Sequence, residues 1–176
     1  MSQDHSPALP CKPATVRERA VFGDRTFQID RPTEMDSFVA AEQLPYWAVL
    51  WPASRMLAQA ILSEQWTPGM AALEIGCGLG LPGIAALAVG LRVTFSDYDA
   101  TALRFAANNA RLNGFAECQT LHLDWRHPPE DLRVPILLGS DLAYELASVE
   151  PLVAFFSNVL APNGVCLLAD TDRLPA

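Results

Sequence analysis

Leu73-Glu74-Ile75-Gly76-Cys77-Gly78-Leu79-Gly80 closes one apolar run and opens another. The run before it, from Ala71 to Ile75, is short enough for a strand. The run after it, from Leu81 to Val89, is helix-like, and Pro82 falls in the first turn, where a missing N–H costs nothing. Glycine at 76 and 78 lets the backbone turn sharply and approach a ligand with no Cβ in the way. The helix N-terminus beyond supplies free N–H groups and a partial positive charge. A nucleotide-like ligand is expected over this turn, at the C-terminal edge of a sheet.

Downstream, the alternation continues. Leu91 to Ser96 reads as a second strand. Asp99 caps a helix from about Ala100 to Asn113, and Gly114 stops it. Cys118 to Leu123 and Pro135 to Ser140 read as a third and a fourth strand. Glu150 to Leu160 puts Leu152, Val153, Phe156 and Leu160 on one helical stripe. Pro162-Asn163-Gly164 turns the chain into a fifth strand, Val165 to Ala169. Upstream, Val16 to Phe22 and Arg25 to Asp30 flank Gly23-Asp24, a pair suited to a type II′ hairpin. Next comes LPYWAVLWPAS, an aromatic and proline-punctuated segment unsuited to regular structure. It leads into SRMLAQAILSEQW, which has helical spacing, and Pro68-Gly69 then turns. Near-continuous apolar strands alternating with helices imply a doubly wound α/β domain with a mainly parallel sheet.

Composition agrees. The chain has 176 residues, 51% hydrophobic and 18% charged. That is enough for one domain with a substantial core, and it excludes wholesale disorder. The net charge of -8 argues against clamping a nucleic-acid backbone and favours a cationic partner. The stretch Ile84 to Leu91 is far too short to span a bilayer, so no membrane association is expected. MSQDHSPALPCKP lacks the charged and apolar regions of a secretory signal. Cys11, Cys77, Cys118 and Cys166 form no CxxC pair and read as reduced thiols of a cytoplasmic protein. His5, His122 and His127 have no metal-ligand spacing, and no metal is expected.

The kind of ligand follows from what surrounds the glycines. A dinucleotide site wants GxGxxG, yet residue 81 is leucine; a P-loop wants a following lysine, and there is none. Glu74 would repel a phosphate and suits a cation. S-adenosylmethionine carries an ammonium and a sulfonium and no phosphate. Asp97, about 20 residues beyond the loop, is placed to take both hydroxyls of a ribose. Asp124-Trp125 follows the third strand, where a ring or a carboxylate can meet an adenine. Asp141 follows the fourth. Four consecutive strands thus end in an acidic residue at one sheet edge.

The pattern E-x-G-x-G-x-G, an acid after the second strand and Asp-Trp after the third resemble class I, Rossmann-like S-adenosylmethionine-dependent methyltransferases. LPYWAVLWPAS and Asp141-Leu142-Ala143-Tyr144 resemble the seven-strand protein-lysine methyltransferases, and most closely the branch that modifies the electron transfer flavoprotein β subunit. The resemblance covers about residues 40 to 170. It implies S-adenosyl-L-methionine as cofactor and transfer of a methyl group to a lysine on a protein partner. Trp51, Glu74, Gly76, Cys77, Gly78, Asp97, Trp125 and Ser140 would bind the cofactor. Trp125 would flank the adenine and Ser140 the methyl end. Asp141 and Tyr144 would be catalytic at the acceptor entrance, with Glu145 a further contact. The family's sheet has seven strands, whereas five are counted before Ala176, so the last two strands and their helix are missing or unrecognisable. The expected organisation is a flexible tail at 1–13 and a single domain at 14–176. Within it, 14–50 holds the hairpin and aromatic segment and 51–176 the cofactor-binding core.

Plainer roles compete at each position. Trp47, Trp51, Trp125 and Tyr144 also read as packed rings, Asp97 as a neighbour of the cap at Asp99, and Asp141 as a solvated loop carboxylate. At the level of function, a small-molecule amine or heterocycle competes with the protein lysine as acceptor. A catalytically inactive cofactor-binding or interaction module is a third reading, and a nicotinamide-dependent oxidoreductase a distant fourth.

Overall fold

The computed structural model describes residues 14–33, 46–143 and 145–171. The expected tail at 1–13, the Leu44-Pro45 start of the aromatic segment and Tyr144 lie outside the described residues.

The chain opens with an antiparallel hairpin, β1 (Thr15–Phe22) and β2 (Arg25–Pro32), in which Phe22 faces Arg25 across the tip. Gly23 turns that tip at a φ of 59°. Tyr46–Ala48 form one 3-10 turn, and α1 (Pro52–Ser63) follows. This helix starts earlier than its apolar periodicity alone suggests, because Pro52 at its first position is preset to helical φ. The core then alternates: β3 (Ala71–Ile75), α2 (Leu81–Ala88), β4 (Arg92–Asp97), α3 (Ala100–Leu112), β5 (Gln119–His122), β6 (Val134–Ser140), α4 (Leu146–Val159) and β7 (Leu160–Ala169). Asp99 caps α3 as expected, its carboxylate accepting from the Thr101 N–H at 2.6 Å.

The largest boundary differences from the sequence reading are in the last helix and strand. The helix α4 begins at Leu146, so Pro151 lies inside it and not in its first turn. The fifth strand starts at Leu160, directly after α4. Val134 pairs with Leu160 and Ile136 with Val165, so the Pro162-Asn163-Gly164 turn is accommodated as a bulge within the strand, with Asn163 at a φ of 62°.

The five core strands are parallel and ordered β5-β4-β3-β6-β7. Strand order reverses between β3 and β6, and a crevice opens at their C-terminal ends. On β3, Ala72 joins the core shared with α1, α2 and α3, whereas Leu73 and Ile75 join the core under α4. A one-residue slip would exchange these sets. Each face is packed to its own shape, so a large aliphatic moved to the other face would cost about 1–3 kcal/mol in misfit, which holds the register that places the glycine loop. No helix among the described residues is long and apolar enough to cross a membrane.

The hairpin docks on α3 through two asparagine side chains. The Asn113 amide accepts from the Gln28 N–H at 2.9 Å and donates to its carbonyl at 2.7 Å. The Asn109 amide does the same to Asp30, at 2.8 and 3.1 Å. Each side-chain amide stands in for a peptide group of a neighbouring strand, so Gln28 and Asp30 on the outer edge of β2 keep their backbone groups satisfied.

Candidate functional site

A cavity of about 320 Å³ lies over the switch point, in the size range of small-molecule sites. Its floor is the loop from Gly76 to Gly80, where all three glycines take left-handed φ values of 55°, 51° and 82°. The loop is tightly enclosed. A Cβ on Gly76 would stand 2.6 Å from Leu142 Cδ2 and 3.4 Å from Trp125 Cζ3. One on Gly78 would stand 3.0 Å from the Trp47 carbonyl oxygen. Side chains are excluded here both by dihedral strain and by space.

Asp97 ends β4 with its carboxylate almost wholly buried. Oδ2 accepts from the Gly78 N–H and Oδ1 from the Asp99 N–H, both at 3.0 Å. Burial raises its pKa, and these N–H groups oppose the rise. The bonds leave lone pairs on both oxygens, so Asp97 can still accept from two hydroxyls of a ligand. Trp51 lines the cavity and donates from its indole N–H to the Tyr46 carbonyl at 2.8 Å. Trp125 and Ser140 line the cavity too, as do Asp141 and Glu145. Asp141 holds a left-handed φ of 52°, unusual for a residue with a side chain. Its N–H donates to the Ala169 carbonyl at 2.9 Å, and its Oδ1 accepts from the Thr171 hydroxyl at 3.1 Å.

Of the expected site residues, Trp51, Gly76, Cys77, Gly78, Asp97, Trp125, Ser140 and Asp141 come together around this cavity. Glu74 does not. It shares the strand face of Ala72, and its Oε2 accepts from the Gly83 N–H of α2 at 2.9 Å. Burial pushes that carboxyl well above its usual range. Its contact is with the helix behind the loop, because strand alternation points it to that face. Asp124 is also turned aside. Arg126 clasps its carboxylate, holding its pKa down to about 2, so only Trp125 of that pair reaches the cavity. Cys77 is buried, and burial, with Glu74 and Asp97 nearby, pushes its thiol well above the usual range; it has no thiolate to offer.

Among the lining residues that the sequence reading missed are Tyr46, Leu50, Ser54, Tyr98 and Leu142. Tyr98 had a visible signal, since it stands between the two acids that end β4 and cap α3. Leu142 had none, because its role depends on how the loop after β6 folds back over Gly76.

Three carboxylates, from Asp97, Asp141 and Glu145, line the cavity. Among the described residues that line it there is no lysine, arginine or histidine. The donor set therefore opposes a pyrophosphate and suits a phosphate-free nucleoside that carries positive charge.

Comparison with known proteins agrees with this geometry. Residues 44–175 match the family model described as lysine methyltransferase. The chain is 34% identical over 120 residues to the histone-arginine methyltransferase METTL23 of Rattus norvegicus, covering 62% of this chain and 52% of the relative. It is 35% identical over 127 residues to the histidine protein methyltransferase 1 homolog of Dictyostelium discoideum, covering 68% and 41%. The chain thus spans about half the length of the curated relatives it matches. Among solved structures, the ribosomal protein L11 methylase of Lactobacillus delbrueckii subsp. bulgaricus superposes with a TM-score of 0.57 at 20% identity, covering 66% of this chain and 58% of that one. Coclaurine N-methyltransferase, bound to N-methylheliamine and SAH, gives 0.56 at 18% identity, covering 64% and 34%. These two likenesses are of fold. With three quarters of its length matched by one family model, the chain belongs to the lysine methyltransferase family.

Proposed function

We propose that this chain is an S-adenosylmethionine-dependent methyltransferase acting on a lysine side chain of a protein partner. The observation that supports this reading most is that Asp97, Asp141 and Glu145 are the charged groups, among the described residues, that line a glycine-floored cavity at the sheet's switch point. Bound there, S-adenosylmethionine supplies an electrophilic methyl group on a sulfonium that is already a good leaving group. The chain's own residues bind, align and exclude water. In this reading Asp97 accepts from the ribose hydroxyls, the loop 76–80 carries the nucleoside, and Trp125 flanks its base. Ser140 faces the reacting end.

A lysine must be neutral to attack, and a carboxylate beside it favours the charged form. Asp141 and Glu145 therefore draw in and orient the amine and are not strong bases. Tyr144 would hydrogen-bond the acceptor nitrogen. The three described cysteines are free thiols, which supports a reducing, cytoplasmic setting as part of the same proposal.

A second reading keeps the protein partner and moves the methyl group to another nitrogen. It is supported by the names of two relatives, which act on arginine and on histidine. Radiolabelled methyl transfer into a lysate, followed by mass spectrometry of the labelled residue, separates the two. Label on lysine supports the proposal, label on arginine or histidine replaces it with the second reading, and label confined to small molecules removes the protein acceptor. Asp141→Asn should cut turnover about 10- to 100-fold, as expected for a lost hydrogen bond to a charged group, while S-adenosylhomocysteine still binds. Undiminished turnover would take Asp141 out of the mechanism.

A further inference from the structure

Asn109 joins the hairpin to the floor of the cavity. Its side chain is fully buried and all its hydrogen-bonding groups are engaged. Oδ1 accepts from the Asp30 N–H. One N–H of Nδ2 donates to the Asp30 carbonyl, and the other donates to the Leu79 carbonyl at 3.0 Å. Leu79 belongs to the loop that lines the cavity, between Gly78, whose N–H donates to Asp97, and Gly80. One turn earlier on α3, Ala106 presses the same loop. A Cβ on Gly80 would stand 2.9 Å from Ala106 Cβ. The helix thus pushes the loop at one point and holds it at the next.

We propose that Asn109 is a positioning residue for the cofactor: its grip on the Leu79 carbonyl holds the Gly78–Gly80 backbone where Asp97 and the cavity need it. Asn113 is the natural comparison. It clamps the same hairpin in the same manner, four residues further along α3, and its hydrogen bonds go to Gln28 and Asn109 and not to the loop. A purely structural role for the asparagines predicts equal consequences from the two. A positioning role predicts that they part.

The inference rests on the reading that the cavity takes S-adenosylmethionine, and the test keeps the two apart. S-adenosylhomocysteine affinity is measured by calorimetry on the wild-type chain, Asn109→Ala and Asn113→Ala, alongside thermal melts and the KM for S-adenosylmethionine. Both variants should melt lower. Asn109→Ala should lose about 3- to 10-fold in affinity, the range of one buried neutral hydrogen bond, and raise KM by the same factor with kcat little changed. Asn113→Ala should keep wild-type affinity. Should Asn109→Ala fail to fold, Asn109→Ser is read the same way, since it puts no charge in the core and its short hydroxyl cannot hold the Asp30 peptide and the Leu79 carbonyl together. Unchanged affinity at Asn109, or equal losses in both variants, overturns the inference and leaves the cavity's ligand standing. Failure of the wild-type chain to bind S-adenosylhomocysteine overturns both.

Discussion

Gly78→Ala tests whether the loop floor is as closely packed as the cavity requires. Two costs add. An alanine at a φ of 51° pays about 1–2 kcal/mol for the left-handed conformation. Its Cβ also meets the Trp47 carbonyl oxygen at 3.0 Å, a backbone atom that cannot rotate out of the way alone. Crowding of this kind adds about 1–3 kcal/mol. Relief requires the loop or the 46–48 turn to shift by a few tenths of an ångström, and both line the cavity. Gly114→Ala supplies the control, because Gly114 sits at a φ of 89° and a methyl group there would find nothing within 4 Å. It carries the dihedral cost alone. In a chain of this size each kcal/mol moves the melting temperature by about 2–4 °C. Gly114→Ala should therefore melt roughly 2–8 °C lower and bind S-adenosylhomocysteine as the wild type does. Gly78→Ala should melt lower still and lose at least about 10-fold in affinity, equivalent to about 1.4 kcal/mol appearing in binding. Calorimetry and thermal melts on both variants decide it. Equal melting points together with wild-type affinity at Gly78 would refute the claim that the Trp47 backbone closes the loop.

Asp97→Ala should weaken S-adenosylhomocysteine binding about 10- to 100-fold, the range for hydrogen bonds to a charged group; calorimetric affinity within about twofold of wild type would remove its assigned role. Glu74 titrates higher in the folded than in the unfolded chain, so the folded state binds the extra proton. Its contribution is therefore full below about pH 4.3, the unfolded value, and is lost as pH rises from there toward the folded value. Glu74→Gln, whose amide oxygen can keep the Gly83 bond, should flatten the pH dependence of the melting temperature above about pH 5, and an unchanged slope would contradict the buried-acid account. Gly83→Ala gains helix propensity of about 1 kcal/mol, yet its Cβ would strike both Glu74 Oε2 and Phe95 Cε1. The variant should melt lower than wild type, and a higher melting point would show the contact to be soft. In Arg126→Ala, the Asp124 carboxyl should titrate near its ordinary value of about 3.9, and not at about 2; an NMR titration of that side chain reads the difference directly.

The parts legible in the sequence are those governed by local chemistry. Asp99 as a cap, Gly23 at the hairpin tip and the strand-glycine-helix passage at 71–88 depend on neighbours a few residues away, and each stands where the residues imply. The acids after the strands are visible as a set, but their directions are not. Glu74 faces α2 because of strand parity, and Asp124 turns to Arg126, a partner two residues on that only the loop's path brings into reach. The apolar stripe from Leu152 to Leu160 starts α4 late, at Glu150, whereas the preceding turn from Leu146 is helical as well. Asn109 and Asn113 carry no signal as hairpin anchors, since their partners lie 79 and 85 residues away and are backbone groups that any residue type would supply.

Those two anchors also act as a ruler. Four residues of helix advance about 6 Å, and two residues of antiparallel strand advance about 6.8 Å, so Asn109 and Asn113 reach Asp30 and Gln28 together with little distortion. Sliding the hairpin by one residue would turn Phe27 and Ile29 outward, and sliding it by two in one direction would bring Pro32, which has no N–H to give, opposite Asn109. Changes in hairpin length are thereby channelled to the Gly23-Asp24 tip, where added residues alter the reach of the ribbon and leave its seat on the helix undisturbed.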